Sequence, residues 1–230
     1  MPTIGDVLRG AADDNETGSL SHRMRERRFA AFETAASALP RPLRLLDVGG
    51  TVDFWEQRGW AGREDVQITL LNLTVEPSTY ENIVSTAGDA ADLGEYESGA
   101  FDLVFSNSVI EHVGTPDRQV AMAREIARVS SAYWVQTPNF WFPMEPHYLV
   151  PAWQWLPEST RVAILRRRGV GQLGRTPDPR EALEVVRGTR LLSRSQLARM
   201  FPGARLVPER FGGLVKSWTA VSGLPAPASL

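Results

Sequence analysis

Two of the chain's three histidines stand close to carboxylates, in Glu111-His112 and in Met144-Glu145-Pro146-His147. Imidazole titrates at about pH 6.5, so it exchanges a proton near neutrality, and a neighbouring carboxylate can orient the ring or raise its basicity. Both histidines are therefore candidate bases. The plainer alternative is a hydrogen-bonded ring packed into the fold, for His147 among Trp141, Tyr148 and Trp153. No metal is expected, because a sequence without cysteine has no thiolate site and no disulfide. A third feature is Leu45-Leu46-Asp47-Val48-Gly49-Gly50-Thr51, an apolar run opening on two glycines, where a ligand can approach the main chain. The dinucleotide fingerprint G-x-G-x-x-G needs further glycines at 51 and 54, and the chain has Thr51 and Phe54 instead. A diphosphate lying against the following helix is disfavoured on that ground.

Regular elements have to position these residues. Met24, Phe29, Phe32, Ala36 and Leu39 recur at the period of an amphipathic helix over Ser21 to Leu39, which Pro40 and Pro42 end. Five apolar runs follow as strands: Leu43 to Val48, Gln67 to Leu73, Ile83 to Ser85, Phe101 to Asn107 and Ala132 to Thr137. A stripe of Val120, Ala123, Ile126, Ala127 and Val129 predicts a helix from Pro116 to Val129. Ser193 is placed to cap a helix reaching Phe201, and Ala204 to Phe211 pairs with Leu214 to Val221 across Gly212-Gly213. The expected fold is α/β, Rossmann-like and doubly wound, with a mostly parallel seven-stranded sheet closed by a C-terminal antiparallel pair. One domain is expected: cap helices in 1–40, a core in 41–138, a lid in 139–192 after the fifth strand, and closing elements in 193–222. Aromatics, prolines and arginines mix too irregularly over 139–190 for an α/β unit. The first twenty residues, with a short helix from Ile4 to Arg9, and the tail from Gly223 are expected to be loosely held.

Taken in order, LLDVGGT (45–51), LLNLT (70–74), GDAADL (88–93), FDLVFSNSVIEHV (101–113) and WVQTPN (134–139) resemble the class I S-adenosylmethionine-dependent methyltransferases, especially small bacterial ones with an LDVGGT loop. The resemblance covers about residues 43–138 and the closing strand pair. It implies S-adenosylmethionine as cofactor and S-adenosylhomocysteine as product. Asp47, Gly49, Gly50 and Thr51 would then pass beneath the methionine and ribose, Asn72 and Leu73 would meet the ribose, Asp89 and Ala90 the adenine, and Ser106 and Asn107 the methionyl moiety. Asn72 departs from the acidic residue usual there: an amide can bond a diol but lacks the charge-assisted strength of a carboxylate. Asp89, read alone, is equally an ordinary turn aspartate. His147, just beyond the fifth strand, falls where the family faces its acceptor, with Glu145 beside it and His112 as a further candidate.

Methyl transfer is an in-line displacement at a sulfonium, which demands alignment and desolvation, and a hydroxyl acceptor also needs a base. The expected activity is methyl transfer to a small-molecule or glycan/lipid-type acceptor, at oxygen. TPNFWFPMEPHYLVPAWQWLP (137–157) is similar to a stretch of methyltransferases in cell-surface glycan or lipid pathways, and Ser21 to Arg28 is similar to a cofactor-capping helix whose arginines reach an anion, or else form a solvated face. Two alternatives are an NAD(P)-linked oxidoreductase of Rossmann type, opposed by Thr51 and Phe54, and a non-catalytic binding protein on the same fold. A net charge of -2 gives no basic footprint for nucleic acid. The N-terminal segment has neither the apolar run of a signal peptide nor that of a spanning helix, so a cytoplasmic address is expected. Peripheral membrane contact stays open through Trp134, Trp141, Trp153 and Trp155, whose first reading is core.

Overall fold

The structure of the chain, a computed structural model, describes residues 20–145, 150–170 and 174–230. Strands β1 (Leu43–Val48), β2 (Val66–Asn72), β3 (Ile83–Ala87), β4 (Leu103–Asn107) and β5 (Tyr133–Pro138) run parallel. After a short separate pair, β6 (Met144–Glu145) and β7 (Val150–Pro151), the antiparallel strands β8 (Arg205–Phe211) and β9 (Leu214–Ser222) complete a seven-stranded sheet in the order β3-β2-β1-β4-β5-β9-β8. The expected α/β sheet is present. Chain order reverses between β1 and β4, which leaves a crevice at their carboxyl ends.

Side-chain alternation along β1 decides which residue meets which layer. Leu43 and Leu45 pack with Phe29 and Phe32 of helix α1 (Leu20–Ala36), with Trp55 of α2 (Val52–Gln57) and with Trp60. Leu46 and Val48 face the other way, toward Met122 and Ile126 of α3 (Pro116–Val129), Leu197 of the helix Arg194–Met200 and Phe201 just after it. Helices therefore cover both faces. The Phe32 ring lies 4.6 Å from Phe105 and 5.8 Å from Trp134, so α1 rests on the middle of the sheet.

Three expectations change. The buried stripe of α3 is Gln119, Met122, Ala123, Ile126 and Val129, with Ala127 exposed and Val120 half-buried. Gln119 goes inward because its Nε2 donates to the carbonyls of Ile110 at 2.9 Å and Arg190 at 3.0 Å, and a buried amide with both donors used is tolerated. The lid is also more regular than its composition suggests: α4 (Glu158–Arg167) and α5 (Pro179–Arg187) pack together over Trp153, Leu165, Val170, Ala182 and Val186. Asp178 caps α5 by accepting from the N–H groups of Arg180 and Glu181, with Pro179 in the first turn. Finally, the tail is docked: Leu224, Ala226 and Leu230 pack on the α1-side core, and the Leu230 N–H donates to the Pro208 carbonyl at 3.0 Å.

Helix α6 (Arg194–Met200) starts where the sequence predicts, at Ser193, with a complete capping box to Gln196. The expected helix from Ile4 to Arg9 lies outside the described residues. Among the described residues no helix is long and apolar enough to cross a membrane.

Candidate cofactor and acceptor sites

The alternation that buries Leu43 and Leu45 also turns Asp47 toward α2, where Trp55 Nε1 donates to its Oδ2 at 2.7 Å. Burial pushes the Asp47 carboxyl up to about 7, against the Trp55 hydrogen bond, which favours the charged form. Gly49 has φ +83°, and a Cβ there would lie 2.4 Å from Val109 Cγ2. At Gly50 an added Cβ would lie 1.6 Å from Asp47 Oδ2. Both glycines are thus required by their surroundings. Thr51 ends the turn as the N-cap of α2, its Oγ1 accepting from the Phe54 N–H at 3.2 Å, which is why this position carries a hydroxyl and not a third glycine.

At the end of β2, Asn72 Nδ2 donates to the Gly50 carbonyl at 2.7 Å. The amide at this position braces the glycine turn, a bond that a carboxylate has no proton to make. Leu73 is 85% exposed and forms no wall. Sequence reasoning missed Glu76, whose Oε2 accepts from the Val52 N–H at 3.1 Å while its own N–H donates to Ser85 Oγ at 2.9 Å. An amide and a carboxylate from one connection therefore flank Thr51. Nothing in the spacing of residues 72–76 signals that this connection folds back on the turn.

Asp89 accepts from Arg118 Nη2 with both oxygens, at 2.7 and 2.8 Å, and from the Ala91 N–H at 2.9 Å. The Arg118 hydrogen bonds, helped by Ala91, hold its carboxyl below the usual range. It is thus tied to α3, and Ala90 beside it packs toward the α3-side core. Ser106 is fully buried, its hydroxyl donating to the Val48 carbonyl at 3.2 Å. By the strand's own period Ser106 points with Val104 to the α3 layer, and Asn107 points with Leu103 and Phe105 to the α1 layer. There Asn107 borders a gap of about 20 Å³ with Arg25, Arg28, Phe54 and Arg58. Arg58 Nη1 lies 2.9 Å from Glu26 Oε1, and Arg28 Nε lies 3.9 Å from Glu209 Oε1. Burial lowers the Arg28 pKa, with Arg25 and Arg58 adding to that effect and Glu209 opposing it. The next residue, Ser108, sits at φ 57°, held by its N–H to the Gln136 carbonyl at 3.0 Å and its hydroxyl to Gln136 Oε1 at 2.9 Å.

Residues 65–132 match a family described as a methyltransferase domain. Among solved structures, the chain is similar to the CurJ carbon methyltransferase (12% identity, TM-score 0.54, 96% of this chain and 58% of that one). It is also similar to a SAM-dependent methyltransferase from Aquifex aeolicus (11% identity, TM-score 0.50, 96% of this chain and 98% of that one). The fold is that of a class I methyltransferase. An uncharacterized protein of Mycobacterium tuberculosis strain H37Rv is 32% identical over 74 residues, which make up 32% of this chain. The chain spans about a quarter of the length of the curated relatives it matches (25%).

Beyond its carboxyl end, β4 leads into a 3-10 turn, Ile110–His112. Glu111 is buried and accepts from Thr137 Oγ1 at 2.8 Å, and the exposed His112 places Nδ1 3.2 Å from the Gly188 carbonyl, so both are tied to neighbouring segments. Glu145 is buried on β6, and His147 lies outside the described residues. A cavity of about 720 Å³ opens between the core and the lid, with Thr115, Phe140, Trp141, Glu145 and Arg190 in its wall. Its described lining includes no glycine-turn residue. The 3-10 turn touches its wall, where the Arg190 N–H donates to the Glu111 carbonyl at 2.7 Å. Trp134 and Trp153 are core, as first read, whereas Trp141 and Trp155 are 64% and 44% exposed.

Proposed function

We propose that the protein transfers a methyl group from S-adenosylmethionine to an oxygen of a small-molecule or glycan/lipid-type acceptor. The observation that carries this reading is the Gly49-Gly50-Thr51 turn at the sheet's switch point, packed against Asp47 and Val109 and lacking the glycines that a diphosphate needs.

The donor set suits the cofactor. Main chain at Gly49 and Gly50 would underlie the methionine and ribose, while Asn72 Oδ1 and Glu76 offer acceptors to the ribose hydroxyls beside a brace already made to Gly50 and Val52. Arg25, Arg28 and Arg58, with Asn107, present guanidinium and amide donors suited to a carboxylate. Asp89 would meet the adenine amino group with the lone pairs that Arg118 leaves available. When bound, the cofactor supplies an electrophilic methyl on a sulfonium. The chain's own task is to align the acceptor with that methyl and keep water out, with Phe54 and Phe105 as apolar wall. His147 is assigned to take the acceptor's proton, with Glu145 orienting it and His112 as the alternative base.

Calorimetric titration with S-adenosylhomocysteine and with NADH tests the reading: micromolar binding of the first and no heat from the second is expected. Binding of NADH alone would overturn it in favour of an oxidoreductase. For the base, a fall of about a hundredfold in turnover in His147→Ala, with cofactor affinity kept, is expected, and unchanged turnover removes His147 from the mechanism.

A further inference from the structure

Four arginines, Arg161, Arg187, Arg190 and Arg199, line the lid cavity with two glutamates, Glu145 and Glu158. Glu158 is committed locally. Nε and Nη2 of Arg187 donate to its two oxygens at 2.9 Å each, and this bonding, with the nearby charge of Arg161, holds its carboxyl below the usual range. Arg190 and Arg199 are exposed, and among the described residues neither pairs with a carboxylate. The Arg190 main chain is held at the wall, its N–H bonded to the Glu111 carbonyl at 2.7 Å and its own carbonyl accepting from Gln119 Nε2 at 3.0 Å. The cavity's charge therefore favours an anion and repels a cationic amine.

Its size and its rim add a second requirement. A volume of about 720 Å³ falls within the roughly 300–1,000 Å³ of small-molecule sites, far more than one phosphate fills. Trp141 stands at the wall 64% exposed, its ring 6.3 Å from that of Trp155, which is anchored by Nε1 donating to the Phe140 carbonyl at 3.0 Å. An exposed indole beside guanidiniums offers a flat apolar face to a ring while the cations hold its charged group. Thr189 and Ser195 add hydroxyl donors to the same wall.

We propose that this cavity binds a phosphate-bearing ring compound, with Arg190 and Arg199 on the phosphate and Trp141 on the ring. That this compound is the methyl acceptor rests on the methyltransferase reading above; the binding itself does not. The phosphate can belong to a soluble ester or to a lipid headgroup.

The test is calorimetry on the full chain, with and without S-adenosylhomocysteine, using pyrophosphate and glucose 1-phosphate at fixed ionic strength, plus flotation with phosphatidylglycerol vesicles. Glucose 1-phosphate is expected to bind with a Kd on the order of 1 mM or tighter. The double variant Arg190→Gln/Arg199→Gln, at two exposed positions, should weaken all phosphate binding about tenfold or more with S-adenosylhomocysteine affinity unchanged. Trp141→Ala should weaken glucose 1-phosphate and leave pyrophosphate as it was. Binding of the sugar phosphate without vesicles supports a soluble ester; vesicle binding that the double variant abolishes supports a headgroup. No binding by any probe up to about 20 mM, or binding that the double variant leaves intact, overturns the proposal. Phosphate binding without S-adenosylhomocysteine binding would retain the cavity's assignment and remove the methyltransferase reading; the reverse result separates them the other way.

Discussion

Around the glycine turn, four polar side chains are bonded within the chain: Asp47 to Trp55, Asn72 to Gly50, Glu76 to Val52 and Ser106 to Val48. Around the lid cavity, Arg190 and Arg199 border a much larger space without a carboxylate partner among the described residues. The first region uses its polar groups to hold one backbone shape, and the second keeps charge available for something that arrives. On the proposed function, a turn that fits the same cofactor each time gains from being held in place beforehand. A lid set on its own small core of Trp153, Leu165 and Val186 can vary its lining without disturbing the sheet.

Substitutions can break that contrast or sharpen it. The largest effect is expected from Gly50→Ala, whose Cβ has to enter the space of the buried Asp47 carboxylate: a loss of more than about 3 kcal/mol in urea unfolding. Arg190→Gln/Arg199→Gln should stay within about 0.5 kcal/mol of the parent, as surface changes do. Equal costs for the two would erase the difference between a braced turn and an open cavity.

Next comes Asp47→Asn, read through pH. The folded carboxyl titrates at about 7, above its ordinary value of 3.8, so the folded state binds more protons between those values. Its contribution is therefore fully present below about pH 4 and is lost as pH rises through 7. The asparagine cannot ionise, so the variant should gain on the parent from pH 4 to 8 in parallel urea titrations. A flat difference would mean that Asp47 is charged at both ends of the range.

A smaller effect is expected at the edge of the turn. Asn72→Asp removes the proton donated to the Gly50 carbonyl and sets two acceptors against each other, so S-adenosylhomocysteine affinity should fall about tenfold by calorimetry. A gain in affinity would show that the family's usual carboxylate outweighs the brace. The smallest change belongs to Arg118→Ala. Its pair with Asp89 has side chains 47% and 40% exposed, so a stability loss under about 1 kcal/mol is expected in thermal unfolding.

Much of the architecture was legible because it rests on local rules. Apolar runs located the five parallel strands to within about two residues, Pro116 marked the first turn of α3, and Ser193 announced α6. The Gly49-Gly50 turn was legible for the same reason, since a strand followed by glycines has few conformations open to it. Less was legible where side chains answer to distant partners. The α3 stripe rotated because Gln119 finds carbonyls at Ile110 and Arg190, and the tail docked because Leu230 reaches Pro208. His112 proved to be a link to Gly188, a contact across 76 positions in sequence.

The sequence by itself determined the succession along the chain of the seven sheet strands with α1, α3 and α6, the glycine turn, the absence of thiol chemistry and the resemblance to a methyltransferase. Those follow from spacing, propensity and residue type, which act over a few positions. Only the tertiary structure decided that Asn72 braces the turn instead of standing as a bare substitute for a carboxylate, that Glu76 folds back beside it, that Ser106 faces away from Asn107's side of the sheet, and that Arg190 and Arg199 meet in one cavity. Each of these depends on which groups come within a few ångströms after the chain has closed on itself, and hydrogen bonds and charges are decided at that range.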